Sequence, residues 1–127
     1  EQGACDDFLP LAAAKGIGIM LGGVFNSGIL ATGAATDAKY DYRVAPAEVV
    51  RRVQRIAGLC AAHGVPLAVA ALRFALGHPA VATLVLGAVS AEEVARNRRA
   101  LDHAIPACLW SDFMDAGCLR ADGPLPI

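Results

Sequence analysis

The sequence predicts an α/β fold built on parallel strands, and three observations predict it. The chain is 56% hydrophobic but only 6% aromatic. Its apolar excess over the roughly 45–50% of an average soluble domain therefore sits in small and aliphatic residues, the usage of helices packed closely on buried strands. Two short apolar runs, residues 17–21 and 81–86, are bounded by turn residues and show no alternation, which marks interior strands. Segments with apolar residues at helical spacing flank both runs.

The elements follow in order. Residues 1–15 read as a helix already under way, with Phe8, Leu9, Leu11 and Ala12 as its apolar face and Gly16 as its left-handed cap. The chain opens on Glu1 rather than Met, so processing or truncation is expected to have removed what came before. After the fully buried strand at 17–21, residues 22–45 have no period. They form a glycine-rich connection carrying Gly22, Gly23, Gly28 and Gly33 and ending in Asp37, Tyr40 and Tyr42. A loop of that length inside a compact domain is usually functional or disordered, and its place after a buried strand favours function.

Pro46 is expected as the first residue of a helix in which Val49, Val50, Val53, Ile56, Ala57 and Cys60 recur at three-and-four spacing until Gly64. Arg51, Arg52 and Arg55 fall mainly on its wet face. Pro66 opens a second helix through Leu67, Ala71, Leu72 and Ala75 to Leu76, stopped by Gly77-His78-Pro79. The run 81–86 is the second buried strand. Ser90, followed three residues later by Glu93, forms a capping box that starts a helix over 90–102. A last helix runs from Pro106 through Leu109, Trp110, Phe113 and Met114 to Gly117, and residues 118–127 are a tail. The 127 residues make one partial domain, because two strands this apolar leave edges that need covering. The chain is expected either to self-associate through those edges or to be a piece of a larger α/β protein.

Charge and composition exclude several classes. With 11 Lys and Arg against 12 Asp and Glu, a net charge of −1 and a pI near 6.3, the chain has no basic field for nucleic acid. Arg96, Arg98 and Arg99 read as the solvated face of a helix. Apolar stretches are cut by Lys15, Asn26, Arg73 or His78 before they reach bilayer length, so no membrane is expected. No signal peptide is legible in the acidic opening residues. Cys5, Cys60, Cys108 and Cys118 lie far apart without metal-ligand spacing, and are expected as reduced, mostly buried thiols of a cytoplasmic protein.

Ligands of α/β proteins gather at the carboxyl ends of strands, where glycines let the backbone approach phosphates. Both strands lead into such places: Gly22-Gly23-Val24-Phe25-Asn26-Ser27-Gly28 after the first, Gly87-Ala88-Val89-Ser90 after the second. A phosphate or dinucleotide is the ligand these loops suit. Neither matches G-x-G-x-x-G or a Walker loop, and a tight turn with a capping box explains residues 87–93 without any ligand.

Lys15-Gly16-Ile17-Gly18-Ile19, the whole run 22–33, Cys60-Ala61-Ala62-His63-Gly64-Val65-Pro66, and Leu86-Gly87-Ala88 on through Glu93 to Asn97 together resemble the C-terminal part of an aldo/keto reductase. Within that family the resemblance is to the sugar-oxidising branch, the L-fucose and D-threo-aldose 1-dehydrogenases. It implies the last portion of a (β/α)8 TIM barrel whose complete form moves a hydride between a nicotinamide cofactor and a sugar or aldehyde substrate. It further implies that Phe25, Asn26, Gly28 and Leu30 contact the cofactor pyrophosphate region. Gly87, Ala88, Ser90, Glu93 and Asn97 would surround the adenosine.

The sequence departs from the family in three ways. Gly22 stands where many relatives place an aromatic ring against the nicotinamide. No cation occupies the Gly87 or Glu93 positions, where NADP-specific relatives carry Lys and Arg, so NAD is expected and NADP is the alternative. The family's catalytic Asp, Tyr, Lys and His motifs have no counterpart here, so no catalytic residue is assigned and the isolated chain is expected to be inactive. Lys39, Tyr40 and Tyr42 are of the right type for acid catalysis but fall in the wrong segment. His63, His78 and His103 read as caps or surface residues at turns. A non-enzymatic α/β module that dimerises through its strand edges is the other reading.

Overall fold

The computed structural model describes residues 2–126; Glu1 of the expected first helix and Ile127 of the tail lie outside the described residues. A single 3-10 turn, Gly3–Cys5, precedes helix α1, Phe8–Ala14. The helix expected from residue 1 therefore starts seven residues late. Pro10 is the reason: it has no N–H to give the carbonyl four residues back, so it is tolerated only in a first turn. Leu9 and Ala12 are buried as expected, whereas Phe8 and Leu11 are exposed. Gly16 closes the segment at φ +65°.

Strand β1, Ile19–Gly22, pairs in parallel with β4, Val81–Val85, so that Ile19 faces Val81 and Gly22 faces Val85. The ladder is irregular after Ile19, where β4 inserts Ala82 as an extra residue. A Cβ on Gly18 would sit 3.2 Å from that of Ala82, so glycine permits the approach. Both strands were expected to be buried on both faces, and both are covered on one. Met20 is 71% and Val85 53% exposed, while α4 packs against β4 and α1 reaches only the start of the pair, at Ile19 and Val81.

The aperiodic connection expected over 22–45 contains three short elements: α2, Ile29–Thr32, and a hairpin of β2, Lys39–Tyr40, with β3, Arg43–Val44. Two-residue strands are too short to show a period. The hairpin turns on Asp41 and Tyr42, both at positive φ, the backbone a two-residue hairpin loop requires but which Asn-Gly usually signals.

Helix α3, Ala47–Ala62, and helix α4, Leu67–Leu76, follow at 99° to each other, and no single helix among the described residues is long and apolar enough to cross a membrane. Helix α5, Ala91–Ala100, and helix α6, Ala107–Asp115, complete the order. Pro46, Pro66 and Pro106 stand one residue earlier than expected, as the caps of α3, α4 and α6, each with extended ψ. The main core joins Cys60, Val69, Leu72, Leu109, Trp110 and Phe113, with Trp110 tilted against Phe113 at 5.8 Å between ring centroids.

The tail is docked rather than loose. Cys118 offers its carbonyl to Gln2 Nε2 and Arg52 Nη2, each at 3.0 Å, and Arg120 binds the carboxylates of Asp6 and Asp122. Arg52 and Arg55 are exposed, as expected of the wet face, and from there cap the last carbonyls after α6, Arg55 reaching Ala116 at 2.9 Å. The four cysteines are free thiols, with Cys60 and Cys118 buried, Cys5 half-buried and Cys108 exposed, against the expectation of mostly buried ones. Burial pushes the Cys60 thiol up to about 11.

Candidate functional site

The parallel register places the carboxyl ends of β1 and β4 side by side, Gly22 opposite Val85, so the two glycine loops leave the same rim. They are built differently. The first is anchored from below: Val24 and Phe25 pack against the main core, and Ile29, 1% exposed, seats α2 against Ala45 and Val53. Between these anchors the chain reverses through Asn26, Ser27 and Gly28, three consecutive residues at φ of 45°, 61° and 99°. Left-handed backbone at two non-glycine residues costs about 1–2 kcal/mol each. Phe25 holds the reversal by accepting the amides of Gly28 and Leu30 at 3.0 and 3.1 Å. The hairpin completes it, the Tyr42 amide donating to Ser27 Oγ at 3.0 Å.

This loop borders two cavities. A polar one of about 250 Å³, open to solvent, is lined by Gly23, Asn26, Ser27, Tyr40, Asp41 and Tyr42. An apolar one of about 340 Å³ lies beside it, lined by Leu21, Gly22, Ile29, Leu30, Phe74 and the docked tail among others. Gly23, Asn26 and Tyr40 line both. The arrangement suits a ligand with a polar end and an apolar body.

The second loop is short and closes on itself. Ser90 Oγ accepts the Glu93 amide at 3.2 Å, and Glu93 Oε2 accepts the Val89 amide at 3.0 Å, one residue before the expected partner of the box. Arg96 stands 3.9 Å from the other Glu93 oxygen. Gly87, Ala88 and Ser90 are exposed, and Glu93 in the first turn of α5 and Asn97 further along it are half-buried. None of these five lines either cavity. Of the expected site residues, then, Asn26 and Leu30 reach a cavity, Phe25 and Gly28 shape the loop behind it, and the second group shares only the rim.

Sequence reasoning missed Ser27 and the hairpin that receives it, since a bond spanning fifteen residues carries no local signal. It also placed His63 as a simple helix end. The structure gives that ring two partners, Asp112 Oδ2 at 2.6 Å and Cys108 Sγ at 3.6 Å. His78 behaves as a turn cap, its Nδ1 accepting the Ala80 amide at 3.1 Å.

Comparison with known proteins finds that the Aldo/keto reductase family profile matches residues 4–114. The chain is 39% identical over 119 residues to pyridoxal 4-dehydrogenase of Microbacterium luteolum, covering 94% of this chain and 35% of that protein. It is 37% identical over 117 residues to D-threo-aldose 1-dehydrogenase of a Pseudomonas species, covering 91% of this chain and 36% of that protein. The chain thus spans about a third of the length of the curated relatives it matches.

Proposed function

The chain belongs to the aldo/keto reductase family, and from that premise we propose that it forms the cofactor-holding part of an oxidoreductase acting on an aldehyde or sugar hemiacetal. In that reading β1 and β4 are the last two strands of a (β/α)8 barrel. The two relatives are named as dehydrogenases, one of pyridoxal and one of D-threo-aldoses, and these names support the proposed substrate class.

The single observation that carries the reading is the shared rim, from which both glycine loops rise side by side. The backbone there fits a dinucleotide: a Cβ at Gly22, Gly23, Gly28 or Gly87 would meet nothing within 4 Å, so phosphate oxygens can come up to the main chain. Asn26 and the Gly28 turn, with Phe25 and Leu30 beside them, would hold the pyrophosphate region. Gly87, Ala88, Ser90, Glu93 and Asn97 would surround the adenosine. The nicotinamide, when bound, supplies the hydride chemistry, and the groups that handle the proton come from outside this chain.

NAD is the proposed cofactor. The Glu93 carboxylate, held by the Val89 amide, would repel a 2′-phosphate and accept from a ribose hydroxyl. Fluorescence titration of the protein with NADH and NADPH is expected to show tighter NADH binding, and Glu93→Arg is expected to move the preference at least tenfold towards NADPH. Tighter NADPH binding by the unaltered protein would overturn the choice of NAD. Binding of neither dinucleotide would overturn the cofactor role itself.

A further inference from the structure

Away from the glycine loops, three side chains from two helices form a relay. Cys108 and Asp112 are four residues apart on α6, which puts both on one face of the helix. The ring of His63, at the end of α3, enters between them, with Nε2 at 2.6 Å from Asp112 Oδ2 and Nδ1 at 3.6 Å from Cys108 Sγ. An ionised carboxylate has no proton to give, so in the neutral ring Nε2 carries the hydrogen and Nδ1 presents its lone pair to the thiol. Cys108 is the donor in that contact. It lies in the first turn of the nine-residue helix α6. Cys108 is exposed, the His63 side chain is 19% exposed, and Cys60 and Cys118 are buried.

From this geometry we propose that Cys108 is a thiol-modification site, activated by His63 and positioned by Asp112, that forms a mixed disulfide with a low-molecular-weight disulfide. Cys108 Sγ passes its proton to His63 Nδ1, and the thiolate attacks one sulfur of the small disulfide. The S–S bond of that molecule breaks as the new one forms. The departing thiolate takes the proton from His63, so the small disulfide is reduced by one thiol and Cys108 is oxidised by the same amount. Asp112 stabilises the ring while it carries the extra proton.

The test uses glutathione disulfide as the probe, with peptide mass spectrometry to follow the adduct on each cysteine over time. Cys108 is expected to be modified first, and at least tenfold more slowly in both Asp112→Asn and His63→Gln. Urea is expected to abolish its lead over the other cysteines. Circular dichroism and thermal unfolding of the variants check that they fold, and Asp112, being half exposed, is the safer of the two. A rate at Cys108 that stays within twofold in both folded variants, or a first adduct on Cys5, would overturn the proposal.

Discussion

The two loops of the shared rim solve one problem in opposite ways. The loop after β4 satisfies its amides with side chains three and four residues along the chain, Ser90 and Glu93. The loop after β1 is held by partners brought from elsewhere: the Tyr42 amide on Ser27 and the apolar seat that Ala45 and Val53 give Ile29. Self-contained turns form wherever their residues occur together, whereas the first loop exists only once the hairpin and α3 are in place. Conformational strain is stored in the second kind, at Asn26 and Ser27.

Removing the anchor should break the contrast most sharply. Ile29→Ala empties a site that is 1% exposed and is expected to cost about 2–5 kcal/mol in urea unfolding. Hydrogen exchange should then rise over residues 23–33 and stay unchanged over 87–93. Equal loosening of both loops would show that they are not independently held.

A rise in pH should instead loosen the floor common to both, since Val24, Phe25, Leu84 and Leu86 all rest on the core that contains Cys60. Burial raises that thiol from 9.0 to about 11. In the folded chain it keeps its proton where the unfolded chain has lost it, so stability is full below about pH 9 and declines towards pH 11. The decline, on the order of 2 kcal/mol, should be read from denaturant midpoints and should flatten in Cys60→Ala.

The smallest and sharpest contrast is between two glycines. Gly28 sits at φ +99° and is expected to lose about 1–2 kcal/mol on Gly28→Ala. A Cβ at Gly87 meets nothing within 4 Å, and its φ lies outside the left-handed region, so Gly87→Ala should stay within about 0.5 kcal/mol. Parity between the two thermal shifts would remove backbone strain as the distinguishing feature of the first loop.

Features with partners close in sequence were legible before any coordinates. The capping box, the glycines that end α1, α3 and α6, and the apolar face of α3 from Val49 to Cys60 all follow from spacing within a few residues. Pro10 is a local signal of the same kind, for it alone forbids a helix running from residue 1 to 15. Other features had no local trace. The burial of a strand face depends on what lies over it, and Met20 and Val85 show that apolar content does not decide that.

What the amino-acid order determined by itself was therefore the identity of the longer helices and of the two paired strands, the glycine stops, and the pairing of two glycine-rich turns with two apolar strands. These rest on backbone propensities and on bonds that close within one turn of chain. Only the tertiary structure decided that the turns share a rim, that the exposed Arg52 and Arg55 reach the carbonyls after α6, and that His63 lies between Cys108 and Asp112. Such contacts join residues 45 to 66 positions apart. They form when packing of the apolar faces fixes where each helix end falls, and no sequence window contains that information.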